Sequence, residues 1–127
     1  MTTLREALQN RRTAELPAKH SCDVADVPVR ALQIHAWNGG RWVLPWAHFS
    51  AAHHQRTGET EQLVLSFVRH EVHVEGTGLV LLLPAIAGFR LDCLRDLPET
   101  FRALIDKNEP FILRVSVHDV KDSMAIE

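Results

Sequence analysis

Cysteine, long apolar runs and a dominant sign of charge are what this sequence has little of, and each shortage excludes something. Two cysteines, Cys22 and Cys93, cannot make a disulfide framework, and their spacing is neither CxxC nor that of a metal-ligand pair. No apolar run nears the ~20 residues of a bilayer crossing; residues 79–87 come closest. The opening residues, MTTLREALQNRR, are polar and charged where a signal peptide would be apolar. These absences lead us to expect a cytoplasmic protein with two free thiols and no membrane association. Lys and Arg number 14 against 16 Asp and Glu, for a net charge of -2. A dedicated nucleic-acid binder carries a clear basic excess, so that class is disfavoured. No internal repeat or low-complexity tract is present, and 127 residues make one domain, 1–127, with a core of its own.

What is present is organised around residues 61–89. Leu63, Leu65 and Phe67 alternate at odd positions, as one buried face of a strand does, and Val72 and Val74 continue at even positions. One straight strand cannot bury both sets, because side chains change face at every step. Residues 68–71 therefore hold a tight hairpin or, failing that, a β-bulge. Beyond Gly76-Thr77-Gly78, Leu79, Leu82, Leu83 and Ile86 fall at helical spacing. Pro84 requires a kink or a late start in that helix, and its apolar character nearly all round implies cover on two sides.

Upstream, Thr3-Leu4-Arg5-Glu6 has capping-box spacing and predicts a short N-terminal helix. Residues 13–28 read as an irregular connection. Strands are expected at 29–37 and 41–44 around the Asn38-Gly39-Gly40 turn, with Pro45 marking an edge or a break. A short turn at 46–49, a strand at 50–57 and a turn at 57–60 follow. Residues 90–95 are a short strand or an extended linker. Asp96-Leu97-Pro98-Glu99 has the pattern of a helix start, giving a helix over 97–107 with Leu97, Phe101, Leu104 and Ile105 as its core stripe. Phe111, Leu113, Val115 and Val117 alternate as a last strand, and 118–127 read as a polar, frayed tail. The expected fold is α+β: a curved antiparallel meander of five to six strands, half-barrel-like, packed against helices at about 79–88 and 97–107.

Histidine is the one compositional excess, and five of eight lie between residues 48 and 73. His48, His53, His54 and His73 are the candidate ligands for zinc or nickel, should three strands bring them together. His53 and His54 are neighbours, however, and on a strand they face opposite ways. No HExxH or comparable spacing is present. The ordinary alternative is a set of solvent-facing or hydrogen-bonded histidines, and no cofactor is expected. Trp37, Trp42 and Trp46, with Arg41, are candidates for a stacking surface for bases or sugars. The structural alternative is a Trp37–Trp42 pair stabilising the hairpin. For nucleophilic catalysis, Cys93 stands beside Asp92 rather than a base, and no elbow motif surrounds Ser50. Gly76 and Gly78 precede a helix as a phosphate loop would, yet no lysine follows.

The combination W-x-L-P-W-x-H-F at 42–49 with L-x-F-x-x-H-x-V-x-V-x-G-x-x-L at 65–79 resembles a group of small bacterial proteins of unknown function. The resemblance covers about residues 30–88 and implies a solitary domain with His70 as a turn residue; it implies no activity. The reading that results is a non-enzymatic protein-interaction or assembly module, a homodimer through the apolar helix or an exposed strand edge. Its competitors are a metal-dependent or small-molecule-binding enzyme using the clustered histidines, and a single-strand nucleic-acid binder using the tryptophan hairpin.

Overall fold

A computed structural model describes residues 20–120 of the chain. The expected N-terminal helix, the first part of the 13–28 connection and most of the expected tail lie outside them. Helical structure is scarce, and the expected meander on two helices is not formed. Instead there are two sheets of four strands each. The first has the order β1 (Cys22–Val24), β7 (Leu91–Arg95), β2 (Ala31–His35), β3 (Arg41–Pro45). Within it β2 and β7 run parallel and the other neighbours antiparallel. The second is antiparallel throughout, in the order β4 (Phe49–Thr57), β5 (Thr60–Phe67), β6 (His70–Thr77), β8 (Phe111–Asp119).

The break between the sheets falls at Pro45. Without an N–H, proline cannot continue a ladder, and β3 is an edge strand that ends there. A 3-10 turn, Trp46–His48, carries the chain across. Trp46 is buried in that turn, and its indole N–H donates to the Leu91 carbonyl at 3.1 Å. β4 consequently starts a new sheet by pairing with β5, not with β3.

The hairpin at residues 68–71 is present. β5 ends at Phe67 and β6 begins at His70, so the parity of the apolar residues changes at Val68-Arg69. Leu63, Leu65 and Phe67 face inward with Val72, Val74 and Val115. Opposite them, Leu32, Ile34, Leu44, Leu91 and Leu94 of the first sheet complete one shared core. Ser21 links the two layers. Its carbonyl accepts from Arg95 N–H at 2.7 Å, and its buried hydroxyl accepts from Ile112 N–H at 2.8 Å.

Residues 79–87 form one short rod over an end of this core. A 3-10 turn, Leu79–Leu82, leads into α1 (Leu83–Ala87), so of the kink or late start that Pro84 allows, the late start is found. Leu79, Leu82, Ala85 and Ile86 face the core.

The expected helix at 97–107 does not form; Glu99–Leu104 is a 3-10 segment with no buried residue. The groups that would have started an α-helix are used elsewhere. Asp96 Oδ1 accepts Trp37 N–H at 2.6 Å, and Leu97 N–H donates to the Ile112 carbonyl at 2.9 Å. In a 3-10 turn residues i and i+3 eclipse, and Glu99 lies directly over Arg102, with Nε to Oε1 at 2.6 Å. The expected core stripe is split: Leu97 is buried, whereas Leu104 is 69% exposed. Residues 91–95, expected as a strand or linker, become an interior strand between β1 and β2. The last strand runs on to Asp119, so His118 belongs to β8 and not to a tail.

Candidate functional site

The four histidines proposed as ligands do not converge. His54 faces inward and His53 outward, as their adjacency on β4 requires. His73 shares the outer face with His53, but Val64 stands between them in the cross-strand row. His48 closes the 3-10 turn; its carbonyl accepts Val68 N–H at 2.8 Å and its side chain is exposed. Among the described residues, no group of three or more His, Cys, Asp or Glu is placed to hold a metal ion.

His54 is instead part of an anion site filled by the chain itself. Glu61 is in phase with Leu63, Leu65 and Phe67 and is therefore buried. Its carboxylate accepts from His54 Nε2 at 2.8 Å, Gly78 N–H at 2.6 Å and Val80 N–H at 3.1 Å. Burial alone would raise its pKa, but these three donors outweigh it and hold the carboxyl below the usual 4.5. Gly78 and Val80 thus present backbone N–H groups to an anion as a phosphate loop does, with an internal carboxylate in that place. The sequence signal was parity: Glu61 stands on the apolar face of its strand.

The tryptophans do not form a platform. Trp46 is core, against Phe49, Phe67 and Phe89 at centroid distances of 5.1, 5.7 and 5.7 Å. Trp42 lies opposite Ile34 at the margin of the core, its ring 5.3 Å from that of His70. Trp37 belongs to the turn and packs on Phe101 at 5.4 Å, so the expected Trp37–Trp42 pair is absent. Arg41 lies on the outer face of the first sheet, Nη1 at 3.1 Å from His35 Nδ1.

The cysteines stand on adjacent strands but on opposite faces. Cys22 is opposite Leu94, and Cys93 is opposite Asp23. Both thiols are pushed up to about 11, first by burial and, with less weight, by the nearby Asp23, against the influence of Arg95. They are poor nucleophiles at neutral pH. A recess of about 510 Å³ lies between the 3-10 segment and the end of β8, lined by Thr77, Arg102, Ala103, Ile105 and Phe111 among others. Arg102 fills part of that boundary, with its guanidinium 4.6 Å over the Phe111 ring and bonded to Glu99.

The most distinctive surface is the outward side of the rod and the turn after it. From Gly76 to Phe89 the chain contains no charged residue. Its inward side chains are core, but Val80 (48%), Leu81 (53%) and Phe89 (43%) are exposed, as are Pro84 and Ala87. The neighbouring loop adds Val27, and it is tied on by Val29 N–H to the Phe89 carbonyl and Ala25 N–H to the Arg90 carbonyl, each at 2.8 Å. Phe89 is in the left-handed region at φ 57, the one non-glycine with positive φ among the described residues. A bulky residue there costs about 1–3 kcal/mol. The conformation sets one part of the ring against Trp46 and Phe49 and leaves the rest at the surface.

The class these features define is a small, mostly β domain of two facing sheets, with an exposed apolar stretch that carries no charged residue beside its core. Comparison with known protein families, with curated proteins and with solved structures gave no match.

Proposed function

We propose that this chain is a non-enzymatic assembly module that pairs with a second copy of itself through the outward face of residues 80–89. The observation that carries the reading is the coincidence of exposure with a complete lack of charge over that stretch. Contiguous apolar surface of this kind marks an interaction site. A partner presenting charges would have to desolvate them there without compensation. A second copy matches the patch residue for residue about a two-fold axis. The strained Phe89 supports the same reading, because strain retained at a surface aromatic points to a use for that aromatic. Two unpaired thiols accord with a reducing, cytoplasmic setting. Among the described residues, no helix is long and apolar enough to cross a membrane.

The test is sedimentation velocity on the full chain and on Leu81→Lys. The wild type should run as a dimer at about 100 µM and the variant as a monomer with an unchanged circular dichroism spectrum. A wild type that stays monomeric at that concentration, or a dimer indifferent to Leu81→Lys, would overturn the proposal.

A further inference from the structure

The outer face of the second sheet carries a side-chain arrangement that the apolar face does not use. Register places Glu71 opposite His118 and His73 opposite Ser116, so these four form a square on one face of β6 and β8. His73 Nε2 donates to Glu71 Oε1 at 2.8 Å, and His118 Nε2 lies 2.9 Å from Ser116 Oγ. Both rings are thereby held at Nε2. Among the described residues neither Nδ1 has a hydrogen-bond partner. That is the arrangement of a metal-binding imidazole: one nitrogen anchored by a carboxylate or hydroxyl, the other left as a donor.

The spacing of the rings fits the same use. Two imidazoles bound cis to one ion at about 2.0–2.1 Å place their centroids about 4.5–5 Å apart. Those of His73 and His118 are 4.5 Å apart, with an interplanar angle of 64°. Both side chains are open to solvent, so an ion can reach them. From this geometry we infer that His73 and His118 form an exchangeable two-imidazole site for a late first-row divalent cation, bound through Nδ1. Water supplies the remaining ligands, since among the described residues no third protein ligand is in place. Neutral nitrogen donors select Cu²⁺ over Ni²⁺ and Zn²⁺, and give Mg²⁺ and Ca²⁺ nothing to bind. Bound metal would clamp the edge strand β8 to β6.

Untagged full-length protein titrated calorimetrically with NiCl₂ and with CuCl₂ tests this. One ion per chain should bind, more tightly for Cu²⁺. His73→Ala and His118→Ala should each weaken binding roughly tenfold or more, while His53→Ala, across Val64 in the same row, should leave it within about twofold. Equal affinity in wild type and His118→Ala would overturn the assignment, and so would an equal loss in His53→Ala. Both ligands are exposed, so their replacement should leave the circular dichroism spectrum unchanged, and loss of binding then reports the site. The readout is independent of the oligomeric state that tests the apolar face.

Discussion

At the scale of single residues, Glu61 carries the most consequence. It is one of only two buried polar residues among those described, and its three donors come from three parts of the chain: β4, the segment after β6, and the start of the rod. Glu61→Ala leaves two backbone N–H groups and an imidazole without their acceptor and should cost about 3 kcal/mol in urea unfolding. Glu61→Gln keeps an acceptor but loses the charge and should cost about 1–2 kcal/mol at pH 7. The pH dependence has a definite sign. A carboxyl whose folded pKa lies below its unfolded value stabilises the fold fully above the unfolded value, and the effect is lost as pH falls through the folded one. The gap between wild type and Glu61→Gln should therefore narrow as pH drops below 4.5. A gap that widens below pH 4.5 would contradict this assignment. Parity alone made Glu61 an inward residue; its two backbone donors were invisible, because they lie 17 and 19 residues further on.

At the scale of elements, two glycines separate strain from collision. Gly58 opens the two-residue turn between β4 and β5 at φ 65, and a methyl group there would meet nothing within 4 Å. Gly58→Ala should cost only the backbone penalty, about 1 kcal/mol. Gly76 pairs with β8 where the register shifts, and a Cβ would lie 2.0 Å from the Phe111 carbonyl oxygen. Gly76→Ala has to displace backbone and should cost several-fold more, about 3 kcal/mol or greater. Thermal unfolding of both variants would show the ranking, and equal losses would refute it. The hairpins were readable in advance because each is written locally, in Asn38-Gly39-Gly40, in Gly58-Glu59 and in the parity change after Phe67. The segment at 97–107 was misread because its starting signal is also local, whereas the partners that capture Asp96 and Leu97 are Trp37 and Ile112. His118 was placed in a tail for the same reason: nothing in its own neighbourhood announces that β6 will pair with it.

For the whole molecule, the proposed pairing has a thermodynamic signature beyond mass. If the folded chain associates and the unfolded chain does not, stability rises with concentration. The melting temperature should increase by a few degrees over about a hundredfold increase in protein, and that dependence should vanish in Leu81→Lys. A concentration-independent melting temperature in the wild type would count against a dimer. The apolar character of the rod at 79–87, nearly all round, implies cover on two sides. The sheets supply one of them, and the other is the face assigned here to a second copy.

By itself the sequence determined which residues of the β5–β6 hairpin turn inward and where the chain reverses, since both depend on neighbours a few positions apart. Leu63, Leu65, Phe67, Val72 and Val74 had to share a core, and Pro84 had to kink its helix or delay it. Only the tertiary structure decided that β3 and β4 part company at Pro45, that residues 91–95 lie between β1 and β2, and that His73 meets His118 rather than His53. Those outcomes depend on which strands lie side by side. Backbone ladder hydrogen bonds do not depend on which side chains the strands carry, so the choice among partners is made by the burial of the whole core, a quantity no local stretch contains.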